Sequence, residues 1–216
     1  MKRLALHLAT ATLLVTSCST STKTESVAPI DSVALKDSLA KVEMKTQDEN
    51  KVIGDITFGI AEKDFNKKTK SFKSGLQSKD RSYTYMLGNY EFSEIDGWFD
   101  ETKLYQTIVR GWLIHYDNYK SDLVSQVEVL RTMLTAKYGE PEIGEGAPAW
   151  HNTEKGYSYL AYAWNVGKKR IEVRVTNREL YYTADMKIYL PEVSERIAER
   201  ELKKDQEIAE ATKDVL

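Results

Sequence analysis

The chain reads as an α+β domain: an antiparallel sheet of about five to six strands, two helices packed on one of its faces, and a further helix at the C-terminal end. Three observations predict it. Strand-like and helix-like segments follow in the order strand, helix, two strands, helix, three strands, helix, with no internal repeat. "KSDLVSQVEVLRTMLTAKYGEP" sets Leu123, Val127, Leu130, Leu134 and Tyr138 along one helical face. Near the C-terminal end, Ile171, Val173 and Val175 alternate with Arg170, Glu172, Arg174 and Thr176, and Tyr182, Ala184, Met186, Ile188 and Leu190 repeat the pattern. Such alternation marks an antiparallel sheet with one dry and one wet face.

Taken in order, "DITFGI" (55–60) alternates as a first strand. A helix is predicted from Ala61 to Ser74, with Phe65, Phe72 and Leu76 on its inner side and Gly75 at its end. The next stretch is too rich in β-branched and aromatic residues for a helix, and divides into strands Tyr83–Phe99 and Lys103–Tyr116, joined through "DETK" as a hairpin. The second helix is capped by Ser121, favoured by Asp122 at its positive end, and stopped by Gly139 and Pro141. A loop, "EPEIGEGAPAWHNTEKG", leads to strands Tyr157–Val166, Lys169–Asn177 and Tyr181–Leu190. The last segment is helix-prone with a thin apolar stripe at Val193, Ile197 and Leu202, so its final half reads as solvated or partner-binding.

Composition narrows the function classes. Without residues 1–17 the chain carries 29 basic residues against 33 acidic ones, about four negative charges in surplus. With no basic excess to neutralise phosphates, no nucleic-acid partner is expected. A single cysteine means that stability comes from packing rather than disulfides.

Catalytic and metal-binding patterns are missing from the sequence. Outside the leader it holds only His115 and His151, with no histidine pair at metal-binding spacing, and no metal or other cofactor is expected. It contains neither G-x-S-x-G nor a phosphate-binding glycine loop. Glu140, Glu142 and Glu145 crowd the long loop, where a solvated connector explains them better than acid/base chemistry. No enzymatic activity is expected. The aromatic residues are the better lead: Leu160, Tyr162 and Trp164 read as core, whereas Tyr157, Tyr159, Tyr181, Tyr189 and loop residue Trp150 read as an exposed amphipathic surface for peptide, glycan or protein.

The amino end has the layout of a secretory signal: "MKR", then "LALHLATATLLVTSC", too short an apolar run to span a bilayer, which takes about 20 residues. Within it, Val15-Thr16-Ser17-Cys18 resembles the lipobox of bacterial lipoproteins. The resemblance implies a signal peptide over 1–17, removed after Ser17, and a lipid-modified Cys18 that holds the chain to the bilayer through several acyl chains. Ser19 after the cysteine implies sorting to the outer membrane, facing the periplasm. Residues 18–51, rich in Ser, Thr and charge, read as a flexible polar tether, residues 52–191 as the domain and 192–216 as a helical tail.

"FGI" before a first helix and "LRTMLTAKYGEP" closing a second are similar to small secreted α+β lipoproteins of Bacteroidetes-type bacteria, a likeness of layout that carries the fold and no activity. The functional expectation is a membrane-anchored lipoprotein that acts as a binding or assembly module in the cell envelope. The alternative is an inhibitor-like or ligand-capturing module that uses the aromatic surface.

Overall fold

The computed structural model describes residues 48–77, 83–87 and 90–213; the leader, Cys18 and the tether ahead of Asp48 lie outside the described residues. The fold is α+β, as the sequence predicts. A seven-stranded antiparallel sheet is built from β6 (Glu94–Asp100), β7 (Lys103–Arg110), β8 (Ile114–His115), β9 (Ile143–Gly144), β10 (Ser158–Val166), β11 (Lys169–Asn177) and β12 (Tyr181–Tyr189). Its order is β6-β7-β12-β11-β10-β9, with β8 paired to the start of β12. Two small sheets join β1 (Lys51–Ile53) to β2 (Ile56–Thr57) and β3 (Lys73–Gln77) to β4 (Tyr83–Leu87) and β5 (Tyr90–Phe92).

Helices α1 (Glu62–Thr69) and α2 (Val124–Tyr138) cover one face of the large sheet. Leu123, Val127, Leu130 and Leu134 are buried, as are Ile171, Val173, Val175, Ala184, Met186 and Ile188 beneath them. Each fully buried aliphatic side chain contributes about 1.5–3 kcal/mol, so this seam is the main source of stability. Phe65 of α1 sits over Gly97, where a Cβ would come within 2.9 Å of its ring, and meets Phe99 edge-on at 5.8 Å.

Several expected boundaries move, each for a local reason. The first strand becomes the β1–β2 hairpin because Gly54 turns the chain at φ 56°, and a Cβ there would lie 2.4 Å from the Phe72 ring. The first helix stops at Thr69, and a 3₁₀ turn (Lys70–Phe72) leads into β3, since past Phe65 the helix has no further buried residue to hold it. Ser121 does not cap the second helix. A π-turn over Tyr119–Leu123 precedes α2, drawn in by buried Tyr119, whose hydroxyl donates to the Pro148 carbonyl at 2.7 Å while its ring meets Tyr182 at 4.7 Å. Ser121 Oγ instead donates back to the Asn118 carbonyl.

The strand expected over 103–116 breaks at Gly111, whose amide bonds to the Ala184 carbonyl and whose missing Cβ would be 2.7 Å from that oxygen. The chain then rejoins the sheet as β8, which is one reason the sheet exceeds the expected strand count. The other is β9, a two-residue strand inside the long loop, paired to Tyr162 and Ala163.

Asp48–Lys51, expected in the tether, are packed onto the body. Lys169, 1% exposed, aims its ammonium at the carbonyls of Asp48 and Lys51, and Lys137 pairs with the Asp48 carboxylate at 2.9 Å. Burial lowers the Lys169 pKa to about 8. At the other end α3 (Pro191–Thr212) leaves the sheet with Pro191 at its first position, and it is exposed from Ala198 onward. Arg196 and Arg200, one turn apart, clamp Asp100 at the end of β6 at 2.8 and 2.9 Å, and these bonds lower its carboxyl pKa. Among the described residues no helix is long and apolar enough to cross a membrane.

Candidate functional site on the open face of the sheet

Register determines what the second face of the sheet presents. Strand pairing aligns Glu94, Arg110, Asp185, Arg174 and Leu160 in one row across five strands. The next row is Asp96, Ile108, Lys187, Glu172 and Ala163, and a third is Trp98, Gln106, Tyr189, Arg170 and Asn165. In the first row acids and bases alternate across neighbouring strands, and in the second Lys187 stands opposite Glu172; directly opposed pairs of this kind interact. Among the described residues no helix packs against the centre of this face; α3 meets the sheet at its end, around Tyr105 and Leu190.

Glu172 is the hub. Although 5% exposed, it accepts from Arg170 Nε at 2.9 Å, from Arg174 Nη1 at 2.8 Å and from the Tyr189 hydroxyl at 3.0 Å. Burial alone would push its pKa up, but the bonds from Arg174, Arg170 and Tyr189 prevail and hold it below the ordinary value. Burial and the Glu172 charge push the Tyr189 phenol up to about 12. On the β7 side, Arg110 bonds to Asp96 Oδ2 at 2.8 and 3.0 Å and lies 3.4 Å from Glu94.

Asp185, 6% exposed, is less well held. Oδ2 accepts from the Thr176 hydroxyl at 2.7 Å, but among the described residues Oδ1 finds no partner. The Thr183 hydroxyl lies close enough to favour the charged carboxylate, yet its Oγ completes no bond of good geometry either. Burial raises the Asp185 pKa against the pull of Thr176, Thr183, Arg110 and Arg178.

Asp185 lies in a cleft of about 350 Å³ lined also by Gln106, Ile108, Arg110, Ser158, Arg174, Thr176, Arg178 and Lys187. Among the described residues neither Lys187 nor Arg178 has an ion-pair partner. Lys187 lays its ammonium over the Tyr189 ring at 4.1 Å, and burial lowers its pKa. Lys187 feels the charge of Glu172 opposite it and Arg178 that of Asp185, but neither closes an ion pair, and two such cations beside an incompletely bonded carboxylate can hold a ligand that brings both an anionic group and hydrogen-bond donors.

The five aromatic residues singled out from the sequence do not share one surface. Tyr189 belongs to the open face. Tyr181 lies eight positions away on the same strand, roughly 26 Å, where it meets His115 edge-on at 5.5 Å. Tyr157 and Trp150 are exposed around the entry to β10. Tyr159 is paired to Val175, which puts it on the helix-covered side, and its hydroxyl accepts from the Glu154 amide at 2.6 Å.

The expected grouping of Leu160 with Tyr162 and Trp164 is corrected by a bulge. The register slips between Leu160 and Tyr162, so Leu160 faces outward beside Arg174 while Tyr162 and Trp164 face inward beside Val173 and Ile171. The loop glutamates do not converge on a reaction centre: Glu142 bonds outward to Asn165, and Glu145 contributes its backbone amide to the Ala161 carbonyl.

Asp185, Lys187 and Arg178 were not among the residues expected at a site. For Asp185 and Lys187 the signal is present, because the inward residues of the last strand fix the outward set as Thr183, Asp185, Lys187 and Tyr189; Arg178, in the turn before it, carries no such mark. Set against protein-family models, curated proteins and solved structures, the chain finds no match.

Proposed function

We propose that this chain is an envelope lipoprotein, anchored through acylated Cys18, whose folded body is a non-catalytic binding module that presents the open face of its sheet to an envelope component. Support for the anchor comes from the leader and the Val15–Cys18 pattern. About 30 residues separate Cys18 from Asp48, a span that reaches at most about 100 Å when extended and sets the body off from the bilayer. The carrying observation for binding is the cleft in which Lys187 and Arg178 lack ion pairs beside the unpartnered Oδ1 of Asp185. A surface built only for solvation would leave such a carboxylate in contact with water.

Two measurements test the reading. Fatty-acid labelling in cells should mark the natural chain and not Cys18→Ser, which should leave the membrane fraction; equal behaviour of the two refutes the anchor. A photocrosslinker placed at Ile108, within the cleft, should capture an envelope component that one at Val129, exposed on the outer side of α2, does not. Indistinguishable capture from both positions refutes the face.

A further inference from the structure

We propose that the open-face cleft takes an acidic saccharide, its carboxylate held between Lys187 and Arg178 and its ring hydroxyls bonded to Gln106, Ser158 and Asp185. The inference rests on the reading of this face as the binding surface, and names the ligand class.

Arg110 is committed to Asp96 and Glu94, and Arg170 and Arg174 to Glu172. Lys187 and Arg178 are therefore the cleft cations with charge to offer among the described residues. Arg178 is exposed, whereas Lys187 is half-buried and lies against Tyr189. Moving Lys187 from the ring toward an incoming carboxylate exchanges a cation–π contact for a charge-assisted hydrogen bond, the stronger of the two in a partly desolvated site.

A bare anion does not satisfy the rest of the site. The Asp185 carboxylate lies under the same cleft, repels negative charge and, being a carboxylate, only accepts hydrogen bonds. The ligand must carry its charge at one position and hydroxyls at the next. Gln106 adds an amide at that position and Ser158 a hydroxyl, while the Thr176 proton is spent on Asp185; amide and hydroxyl both donate and accept, as a polyhydroxylated ring does. Ile108, in the same cleft, offers an apolar patch for a sugar's C–H face. Some 350 Å³ lies within the size range of small-molecule sites, about 300–1,000 Å³. An acidic peptide fits less well, because the cleft lies over the sheet's interior, where backbone amides and carbonyls are spent on the β7–β12–β11 ladders.

The full chain in detergent micelles, titrated calorimetrically with tri-galacturonic acid, neutral galactotriose, inorganic phosphate and tetraglutamate, tests the assignment. Trigalacturonate should bind more than about tenfold tighter than each of the others, and Lys187→Met combined with Arg178→Gln should weaken it by more than about tenfold with an unchanged melting profile. Equal binding of galactotriose overturns the role of the cations. Equal binding of phosphate or tetraglutamate overturns the saccharide. Undiminished binding by the double variant, or no heat from trigalacturonate at millimolar concentration, overturns the site. Should trigalacturonate fail while the Ile108 crosslink to an envelope component persists, the ligand class falls and the face keeps its role; should the crosslink vanish as well, both fall.

Discussion

The two faces of the large sheet are made from the same strands and held by opposite means. On β11, Val173 is fully buried and Glu172 is 5% exposed, so adjacent residues are almost equally dry. Val173 needs only close neighbours, because dispersion and apolar burial have no preferred direction. Glu172 needs three donors at fixed positions, and finds them in Arg170, Arg174 and Tyr189. The covered face therefore tolerates approximate solutions, and the open face is only as good as its least complete pairing. That weakest point is Asp185, one strand over and one row along, with one oxygen bonded and the other not.

The contrast can be broken from either side. Leu130→Ala, under α2, should cost about 3 kcal/mol through lost burial and the cavity left behind, read as a lowered urea midpoint at unchanged slope. Glu172→Ala on the other face should cost about 2–3 kcal/mol, moderated because both guanidiniums reach solvent. The sign with pH follows from its lowered pKa: Glu172's contribution is complete above the ordinary value of 4.5 and is lost as pH falls through the lower folded value. The stability gap between the natural chain and Glu172→Ala should accordingly narrow on acidification.

Lys169 is a charge placed on the covered side. Its folded pKa of about 8 lies below the ordinary 10.5, so between these values the unfolded chain binds the extra proton and stability rises with pH. Relative to Lys169→Met, the natural chain should gain about 2 kcal/mol across that window, measured by urea titrations from pH 8 to 10.

Asp185→Asn should stabilise at neutral pH by about 1 kcal/mol, since an amide removes the cost of a buried, half-bonded carboxylate. Its raised pKa makes the cost complete above the folded value and absent below the ordinary 3.8, so the gain should disappear in acid. Smallest of all, Arg196→Ala with Arg200→Ala should leave the melting temperature unchanged and raise amide exchange in the first turns of α3, where the clamp on Asp100 is exposed.

The legible parts of the fold were those in which periodicity and burial agree. Leu123, Val127, Leu130 and Leu134 announce α2, and the alternations assign Arg170–Thr176 of β11 and the inward Tyr182, Ala184, Met186 and Ile188 of β12 to their observed faces. What could not be read depends on contacts distant in sequence. Gly111 breaks a strand because Ala184 lies against it, the π-turn follows from Tyr119 reaching Pro148 and Tyr182, and the bulge that turns Leu160 outward adds one residue that no alternation encodes. The same holds for the site. Each strand shows its own polar residues, but the row from Glu94 through Arg110 and Asp185 to Arg174 exists only once four strands are set in register.

The rims of the sheet matter in crowded surroundings. β6, at one margin, carries Glu94, Asp96 and Asp100 within seven residues and faces a bulged ladder between Trp98 and Phe99; at the other margin β9 caps the bulged strand β10 for only two residues. Like charges and kinks at an outer strand oppose the zippering of one molecule onto the next. Wherever copies of the chain meet edge to edge, such margins disfavour the growth of those encounters into fibrils.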